Sequence, residues 1–190
     1  MDAVDAAFSA VARTGFLRPG QRPLAGFDGP LQIGHGQTNS QPRTVEAMLR
    51  LLDVRPGDRV LDVGSGSGWT TALLAHLTGP TGHVLGVELE PALVDFGAAN
   101  LLATDQPWAE IREAKPGVLG WPEEAPYARI LVSAEPRTLP HTLVTQLTVG
   151  GRLVIPVRGR MLLVVRPGPG TDEDDLDISE HGLYRFVPLR

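Results

Sequence analysis

Apolar positions along the chain alternate between the 3.6-residue period of a helix and the short continuous runs of buried strands. After Pro42 the helical spacing i, i+3, i+4, i+7 is occupied by Val45, Met48, Leu49 and Leu52, and Pro56-Gly57 ends the helix. Farther along, strands are predicted at 60–63, 84–87, 110–114, 130–133 and 152–157. Helices are predicted between them at 69–77, 91–102 and 140–147. Strands that alternate with helices in this way are typical of a parallel sheet.

The two ends of the chain differ from this central pattern. Residues 2–13 are predicted to form a short helix, and 14–34 an irregular arm interrupted by prolines and glycines. At the other end, strands at 161–166 and 182–187 follow each other with no helix between them, which predicts antiparallel pairing. The acidic run Asp172-Glu173-Asp174-Asp175 between them is interpreted as a solvated loop rather than a site for a cation or a basic partner. The pattern therefore predicts an α/β fold with a doubly wound, mainly parallel seven-stranded sheet and antiparallel C-terminal strands.

Length and composition narrow the class of protein. A chain of 190 residues, 42% of them hydrophobic, can build one domain with a substantial core. We expect a single domain made of an N-terminal arm and covering loop (1–42), a ligand-binding core (43–157) and a β-rich edge (158–190). The absence of cysteine excludes disulfides, Cys-ligated metal sites and a thiol nucleophile. The formal net charge of −5 gives no basic field for nucleic acid, and neither a membrane span nor a signal peptide is visible, so a cytoplasmic protein is expected.

The strongest local signal for a ligand is the glycine-rich turn Gly64-Ser65-Gly66-Ser67-Gly68, which follows the predicted strand at 60–63. Glycines let the backbone at the end of a parallel strand approach a ligand closely. Glu88 ends the next strand, 20 residues after Gly68, where a carboxylate accepts hydrogen bonds from both hydroxyls of a ribose. A dinucleotide and S-adenosylmethionine both fit these features.

Two residues favour S-adenosylmethionine over a dinucleotide. The dinucleotide fingerprint requires Gly or Ala at its sixth position, where the count from Gly64 reaches the bulky Trp69. Asp62, in the strand before the turn, suits a ligand that has an ammonium and a sulfonium but no phosphate. The alternative for Asp62 is a strand-end residue that caps local amides. An NAD-linked oxidoreductase is the rival that Trp69 disfavours.

A second segment, Ile33-Gly34-His35-Gly36-Gln37-Thr38-Asn39-Ser40-Gln41-Pro42, resembles the protein-L-isoaspartate O-methyltransferase family. The family pattern I-G-x-G-Q-T-I-S-x-P is matched except at Asn39, where the family has an aliphatic residue. Further matches follow in order at the glycine-rich turn with Asp62 and Trp69, at 86–88, 124–127, 146–157 and 186–189. The resemblance thus covers about residues 30–190.

The resemblance implies a Rossmann-like methyltransferase that moves a methyl group from S-adenosylmethionine to the carboxylate of an L-isoaspartyl residue in a damaged protein or peptide. It implies that Ser40 and Thr38 act at the reacting end. It assigns cofactor binding to Gln37, Asp62, Gly64, Ser65, Gly66, Gly68, Glu88, Leu89 and Gly117. From the residues alone, capping of the turn before Pro42 is an equal alternative for Thr38 and Ser40. No metal site is expected, because the five histidines show no ligand spacing.

Three departures from the family concern the substrate rather than the fold. The family's Gly-Asp-Gly, whose Asp accepts a hydrogen bond from the adenine amino group, is Lys115-Pro116-Gly117 here, and its Asp after Pro-Tyr is Ala128. Glu135 stands where the family has small residues near the substrate carboxylate, and would repel an anionic substrate if it pointed into the pocket. The open alternatives are an enzyme for another carboxylate, a divergent paralogue with weak or no activity, and a non-enzymatic binding module.

Overall fold

The structure is a computed structural model that describes residues 2–190. It has five α-helices, namely α1 (Ala3–Ala10), α2 (Pro42–Leu52), α3 (Trp69–Thr78), α4 (Pro91–Leu102) and α5 (His141–Val144). The first strands are β1 (Leu31–Gly34), β2 (Gln37–Asn39), β3 (Arg59–Val63), β4 (His83–Glu88) and β5 (Ala109–Glu113). The remaining strands are β6 (Tyr127–Val132), β7 (Leu147–Val157), β8 (Arg160–Val165) and β9 (Asp177–Leu183).

Seven strands form one sheet in the order β5-β4-β3-β6-β7-β8-β9, and β1 and β2 form a separate antiparallel hairpin. The five strands from β5 to β7 run parallel, whereas β8 and β9 are antiparallel to their neighbours. This confirms the predicted mainly parallel, seven-stranded sheet. The order reverses direction at β3, because β4 lies on one side of it and β6 on the other. In open α/β sheets, ligands bind at the carboxyl ends of strands beside such a point.

Both faces of the sheet are buried. In β3 the alternating side chains of Val60 and Leu61 belong to two different core clusters. The cluster on the Val60 side includes buried residues of α1, α2, α3 and α4. The opposite cluster includes α5 and side chains from the loop before β6. The short apolar run at 60–63 is therefore explained by a strand covered on both sides.

The structure differs from the sequence prediction at the N-terminal arm. The helix ends at Ala10 rather than at residue 13, and Arg13–Phe16 form a 3₁₀ turn. The irregular arm is followed by the hairpin, in which Leu31 pairs with Asn39 and Gln32 with Thr38. The family-like segment therefore has a regular backbone, which short strands with many glycines do not reveal by their period.

Two predictions at the C-terminal half were wrong in their bounds. The last strand is Asp177–Leu183 and not 182–187, and residues beyond it contribute only a single bridge between Pro188 and Glu135. β9 is an edge strand with a single neighbour, so a polar, exposed sequence is sufficient to form it. Phe186 lies beyond this strand and packs against the core. The helix predicted at 140–147 is reduced to His141–Val144, because β7 already begins at Leu147.

Candidate active site

A cavity of about 1120 Å³ opens above the carboxyl ends of β3, β4 and β6. Its walls come mainly from 37–44, 64–67, 87–89, 114–120, 133–134, 136–137 and 183–190. Nine of the predicted site residues line it, namely Gln37, Thr38, Ser40, Gly64, Ser65, Gly66, Glu88, Leu89 and Gly117. Asp62 and Gly68 do not line it. The hairpin therefore faces the glycine-rich turn across one shared space.

The glycine-rich turn connects β3 to α3 and is packed closely from behind. Gly66 and Gly68 both have positive φ, +53° and +85°. A Cβ on Gly68 would lie 2.9 Å from the backbone oxygen of Gly97 in α4, and a Cβ on Gly97 would lie 2.8 Å from that of Gly66. Gly68 thus serves the contact between α4 and the turn rather than the cavity wall. A ligand contact by Gly68 remains a prediction.

Glu88 holds the glycine-rich turn against the end of β4. Its Oε2 accepts a hydrogen bond from the Gly66 amide at 2.9 Å. Its Oε1 accepts from the amides of Leu89 at 2.8 Å and Glu90 at 3.0 Å. The side chain is buried and lines the cavity, and Oε2 keeps acceptor capacity beyond its bond to Gly66.

Asp62 lies beneath the turn and is fully buried. Its Oδ2 accepts a hydrogen bond from the Thr71 hydroxyl at 2.7 Å, while its Oδ1 has no partner among residues 2–190. Burial raises the pKa of Asp62 to about 6, against the hydrogen bond from Thr71 and with a smaller contribution from the charge of Glu88. The Ser65 hydroxyl is also buried and has no partner in the same part of the chain. Two buried polar atoms at this turn are thus left without a protein partner.

Thr38 and Ser40 lie half-buried on the hairpin side of the cavity. Neither hydroxyl makes a hydrogen bond to any residue in the described range 2–190. The N-cap residue of α2 is Gln41, and it makes no side-chain cap hydrogen bond. Helix capping, the alternative considered for these two hydroxyls, is therefore not what the structure shows. Both remain available to a ligand in the cavity.

A buried arginine that the sequence did not indicate organises the hairpin. Arg13 is 6% exposed, and its guanidinium donates to the carbonyl oxygens of Phe27 at 2.8 Å, Gly29 at 2.8 Å and Ser40 at 2.9 Å. Its Nε donates to Asn39 Oδ1 at 2.7 Å. Burial lowers the pKa of Arg13 from its ordinary value, and the charge of Asp28 opposes this shift. The sequence pattern does not reveal this site, because the hydrogen-bond partners of Arg13 are mostly backbone carbonyls.

Asn39, the departure from the family pattern, continues this network to the glycine-rich turn. While its Oδ1 accepts from Arg13, its Nδ2 donates to the hydroxyl of Ser67 at 3.1 Å. Asn39 and Ser67 are both buried. An aliphatic side chain at position 39 can make neither bond. The substitution therefore links the hairpin that carries Thr38 and Ser40 to the turn on the opposite wall.

The other departures fall in different places. Glu135 does not line the cavity, and its Oε1 accepts a hydrogen bond from the Gly159 amide at 2.7 Å, so it does not face a ligand. Ala128 lies in β6, away from the cavity. Lys115 and Gly117 line the cavity, and Lys115 Nζ contacts Glu123 at 2.5 Å. Only the replacement at 115–117 therefore changes the surface of the cavity.

Residues 2–190 contain no group of three or more His, Cys, Asp and Glu side chains placed to hold a metal ion. No helix in that range is both long and apolar enough to cross a membrane.

Comparison with known proteins decides the family. The model of the protein-L-isoaspartate(D-aspartate) O-methyltransferase (PCMT) family matches residues 1–190. The chain belongs to this family. The resemblance of the segment at 33–42 is thereby confirmed, and with it the Rossmann-like methyltransferase fold.

Relatives from several organisms agree with this membership. A protein-L-isoaspartate O-methyltransferase of Methanopyrus kandleri is 42% identical over 179 residues, which cover 94% of this chain and 79% of the relative. One from Aeropyrum pernix is 46% identical over 187 residues, covering 96% and 70%. A Plasmodium falciparum structure described as a beta-aspartate methyltransferase (PCMT) in complex with S-adenosyl-L-homocysteine has a TM-score of 0.86 at 26% identity, covering 100% of this chain and 91% of that one.

Replacing Asn39 by Leu tests the buried network. We expect this variant to lower the free energy of unfolding by about 2–3 kcal/mol, because a buried guanidinium N–H loses its acceptor and Ser67 loses its donor. Ser67→Ala, which removes only the second bond, should cost about 1 kcal/mol. Urea unfolding of both variants makes the comparison. Equal losses in the two would show that the Arg13–Asn39 bond adds nothing.

Asp62→Asn tests the buried carboxylate through the dependence of stability on pH. The folded pKa is raised to about 6 from an ordinary value of 3.8, so the native state binds more protons between these values and loses stability as the pH rises through them. The amide carries no such penalty and keeps an acceptor for Thr71. Relative to the parent, the variant should therefore gain up to about 3 kcal/mol between pH 4 and pH 7.5 in urea unfolding. Asp95→Asn, at an exposed position of α4, is the control, and a parallel pH profile in both variants would contradict the assignment.

Proposed function

We propose that this chain transfers a methyl group from S-adenosylmethionine to the free carboxylate of L-isoaspartyl residues in damaged proteins or peptides. The observation that carries the proposal is the shared cavity. The unengaged hydroxyls of Thr38 and Ser40 lie on one wall, and the glycine-rich turn with Glu88 forms the other. Membership of the protein-L-isoaspartate(D-aspartate) O-methyltransferase family supports this assignment.

The residues on the turn side suit S-adenosylmethionine. Oε2 of Glu88 keeps a lone pair for a ribose hydroxyl, and Gly64 and Gly66 leave the wall open to the adenosine. Gln37, Leu89 and Gly117 complete the proposed binding surface. The partnerless Asp62 Oδ1 and Ser65 hydroxyl supply polar capacity beneath the methionine end. When bound, this cofactor supplies an activated methyl group on a sulfonium.

The residues on the hairpin side orient the acceptor. A carboxylate that is already ionised is a nucleophile, so the chain has no proton to remove before the transfer. Thr38 and Ser40 donate hydrogen bonds that hold the carboxylate in line with the methyl group. Arg13 fixes the Ser40 carbonyl, and the Asn39–Ser67 bond fixes the distance between the walls. Catalysis on this proposal is positioning, which is effective because it removes the entropic cost of alignment.

The replacement of the family's Gly-Asp-Gly leaves the adenine amino group without a carboxylate acceptor at 115–117. For this reason we expect the cofactor to bind about 10- to 100-fold more weakly than it would to a family member that keeps this Asp. The difference corresponds to about 1–3 kcal/mol. The cytoplasmic location, the lack of a nucleic-acid partner and the division at residues 42 and 157 remain predictions from the sequence.

The direct test is an assay with labelled S-adenosylmethionine and two peptides that differ only in having isoaspartyl or aspartyl at one position. We expect base-labile methyl ester on the isoaspartyl peptide alone. Equal labelling of both peptides would instead indicate an enzyme for other carboxylates. Cofactor binding by calorimetry without labelling of either peptide would indicate a divergent binding protein.

The variants Ser40→Ala and Glu88→Ala test the roles of the two walls separately. Ser40→Ala should lower turnover about 10- to 100-fold while the cofactor affinity stays within a few-fold, because only the orientation of the acceptor is affected. Glu88→Ala should weaken cofactor binding by about 1.5–3 kcal/mol, because both the ribose contact and the tie to Gly66 are lost. Calorimetry and steady-state kinetics make the measurement. Glu90→Ala, whose side chain pairs with His35, is the neighbouring control.

Unchanged turnover in Ser40→Ala would remove Ser40 from the reacting end. Unchanged affinity in Glu88→Ala would remove Glu88 from the cofactor site.

A further inference from the structure

Residues 133–134, 136–137 and 183–190 form one side of the cavity, which we call the outer wall. This wall is assembled around Glu135. Its amide donates to the carbonyl of Val187 at 2.8 Å, and its carbonyl accepts from the amide of Leu189 at 2.9 Å. Its carboxylate accepts from the Gly159 amide, and the Gly159 carbonyl in turn accepts from the amide of Tyr184 at 2.9 Å. One residue thus joins the loop after β6, the turn before β8 and the C-terminal segment. Arg137 and Arg185 therefore belong to segments that are joined through Glu135.

The charged side chains that line the cavity are mainly basic, although the chain as a whole is acidic. The charged residues that line the cavity are Arg43, Lys115, Arg137, Arg185 and Arg190, against the single carboxylate of Glu88. The formal net charge of the whole chain is −5. Arg43 is paired with Asp28 and Lys115 with Glu123.

Arg137 and Arg185 form no ion pair with any residue from 2 to 190. Both are exposed on the outer wall. We call them the arginine pair. Exposed charges of this kind act on whatever approaches the mouth of the cavity, because they are not neutralised by a neighbour.

The acidic residues of the same strands lie elsewhere. At the end of the β8–β9 ladder near the cavity, Arg160 pairs with Leu183, and at the other end Val165 pairs with Asp177. The acidic run at 172–175 connects β8 to β9 at that other end. The ladder therefore separates the acidic run from the arginine pair by the length of the two strands.

We propose that the arginine pair makes this enzyme prefer isoaspartyl segments with acidic flanking residues. The inference rests on the proposed function, since it concerns the acceptor of that same site. Thr38 and Ser40 meet the reacting carboxylate, and the arginine pair at the mouth meets the residues on either side of it. Glu135, which would have opposed an anionic segment, is engaged by the Gly159 amide.

The size of the effect follows from the exposure of the pair. Solvent-exposed ion pairs are weak individually and are screened by salt. Two such contacts should give about a 3- to 20-fold preference at low ionic strength. The preference should shrink towards unity in high salt. A preference of this origin appears in the association of the peptide more than in the rate of methyl transfer.

The experiment uses three isoaspartyl peptides of equal length whose flanking pairs are Glu, Gln or Lys. We measure kcat/KM for each at low and high salt. In parallel, fluorescence anisotropy gives the affinity of each labelled peptide for the full chain saturated with S-adenosylhomocysteine. The expected order in both readouts is Glu above Gln above Lys, with the differences reduced by salt.

The double variant Arg137→Gln, Arg185→Gln assigns the preference to the arginine pair. The ratio between the Glu-flanked and Lys-flanked peptides should fall to about twofold or less. Arg160→Gln, a surface arginine outside the cavity lining, should keep the parent ratio.

Each outcome bears on a different claim. Equal binding of the three peptides, a preference for Lys, or an unchanged ratio in the double variant would overturn the inference even if the Gln-flanked peptide is methylated. A preference for Glu in binding without methylation of any peptide would support the inference for a peptide-binding mouth and overturn the proposed function.

Discussion

The buried guanidinium of Arg13 is the constraint on which the candidate site depends. It satisfies carbonyl oxygens at Phe27, Gly29 and Ser40, which lie 14, 16 and 27 residues away from it in the sequence. A loop without regular pairing cannot place its own carbonyls in a dry interior unless a donor is supplied. A guanidinium with five N–H groups is the side chain that supplies most donors. Arg13 therefore ties the arm before the hairpin to the hairpin itself, and Arg18 adds a further bond to the carbonyl of Ile33 at 2.9 Å.

The two walls of the cavity are stabilised by different means. On the turn side, parallel strands bring the glycine-rich turn and the end of β4 to one edge, where Glu88 ties them together through the Gly66 amide. On the hairpin side, Leu31 and Ile33 are buried, and hydrogen bonds from Arg13 and Asn39 add to their packing. The Asn39–Ser67 bond joins the two. A site whose reaction consists of alignment requires this kind of rigid relation between donor and acceptor walls.

The departures from the family pattern illustrate that a changed motif residue is not always a changed ligand contact. Glu135 stands beside a position expected to face an anionic substrate, yet its carboxylate serves the Gly159 amide and builds the outer wall. Asn39 lies inside the most specific motif, yet its side chain points to Arg13 and Ser67. Lys115 and Asn39 both line the cavity, whereas Glu135 does not. The consequence of each depends on the direction of its side chain, which sequence comparison does not give.

The local sequence pattern was sufficient to predict those elements whose structure depends on neighbouring or periodically spaced residues. The apolar stripe of α2, the buried run of β3, the glycine-rich turn and Glu88 at the end of β4 were all predictable, because helices and parallel strands impose a period and tight turns demand glycine. The hairpin, the role of Arg13, the bonds of Asn39 and Glu135, and the position of β9 were decided by the tertiary structure. Apart from the hairpin, whose two strands are close in the sequence, each of these depends on partners between about 12 and 54 residues away, or on backbone carbonyls that every residue carries. Such contacts leave no period and no residue type in the sequence, so only the folded chain specifies them.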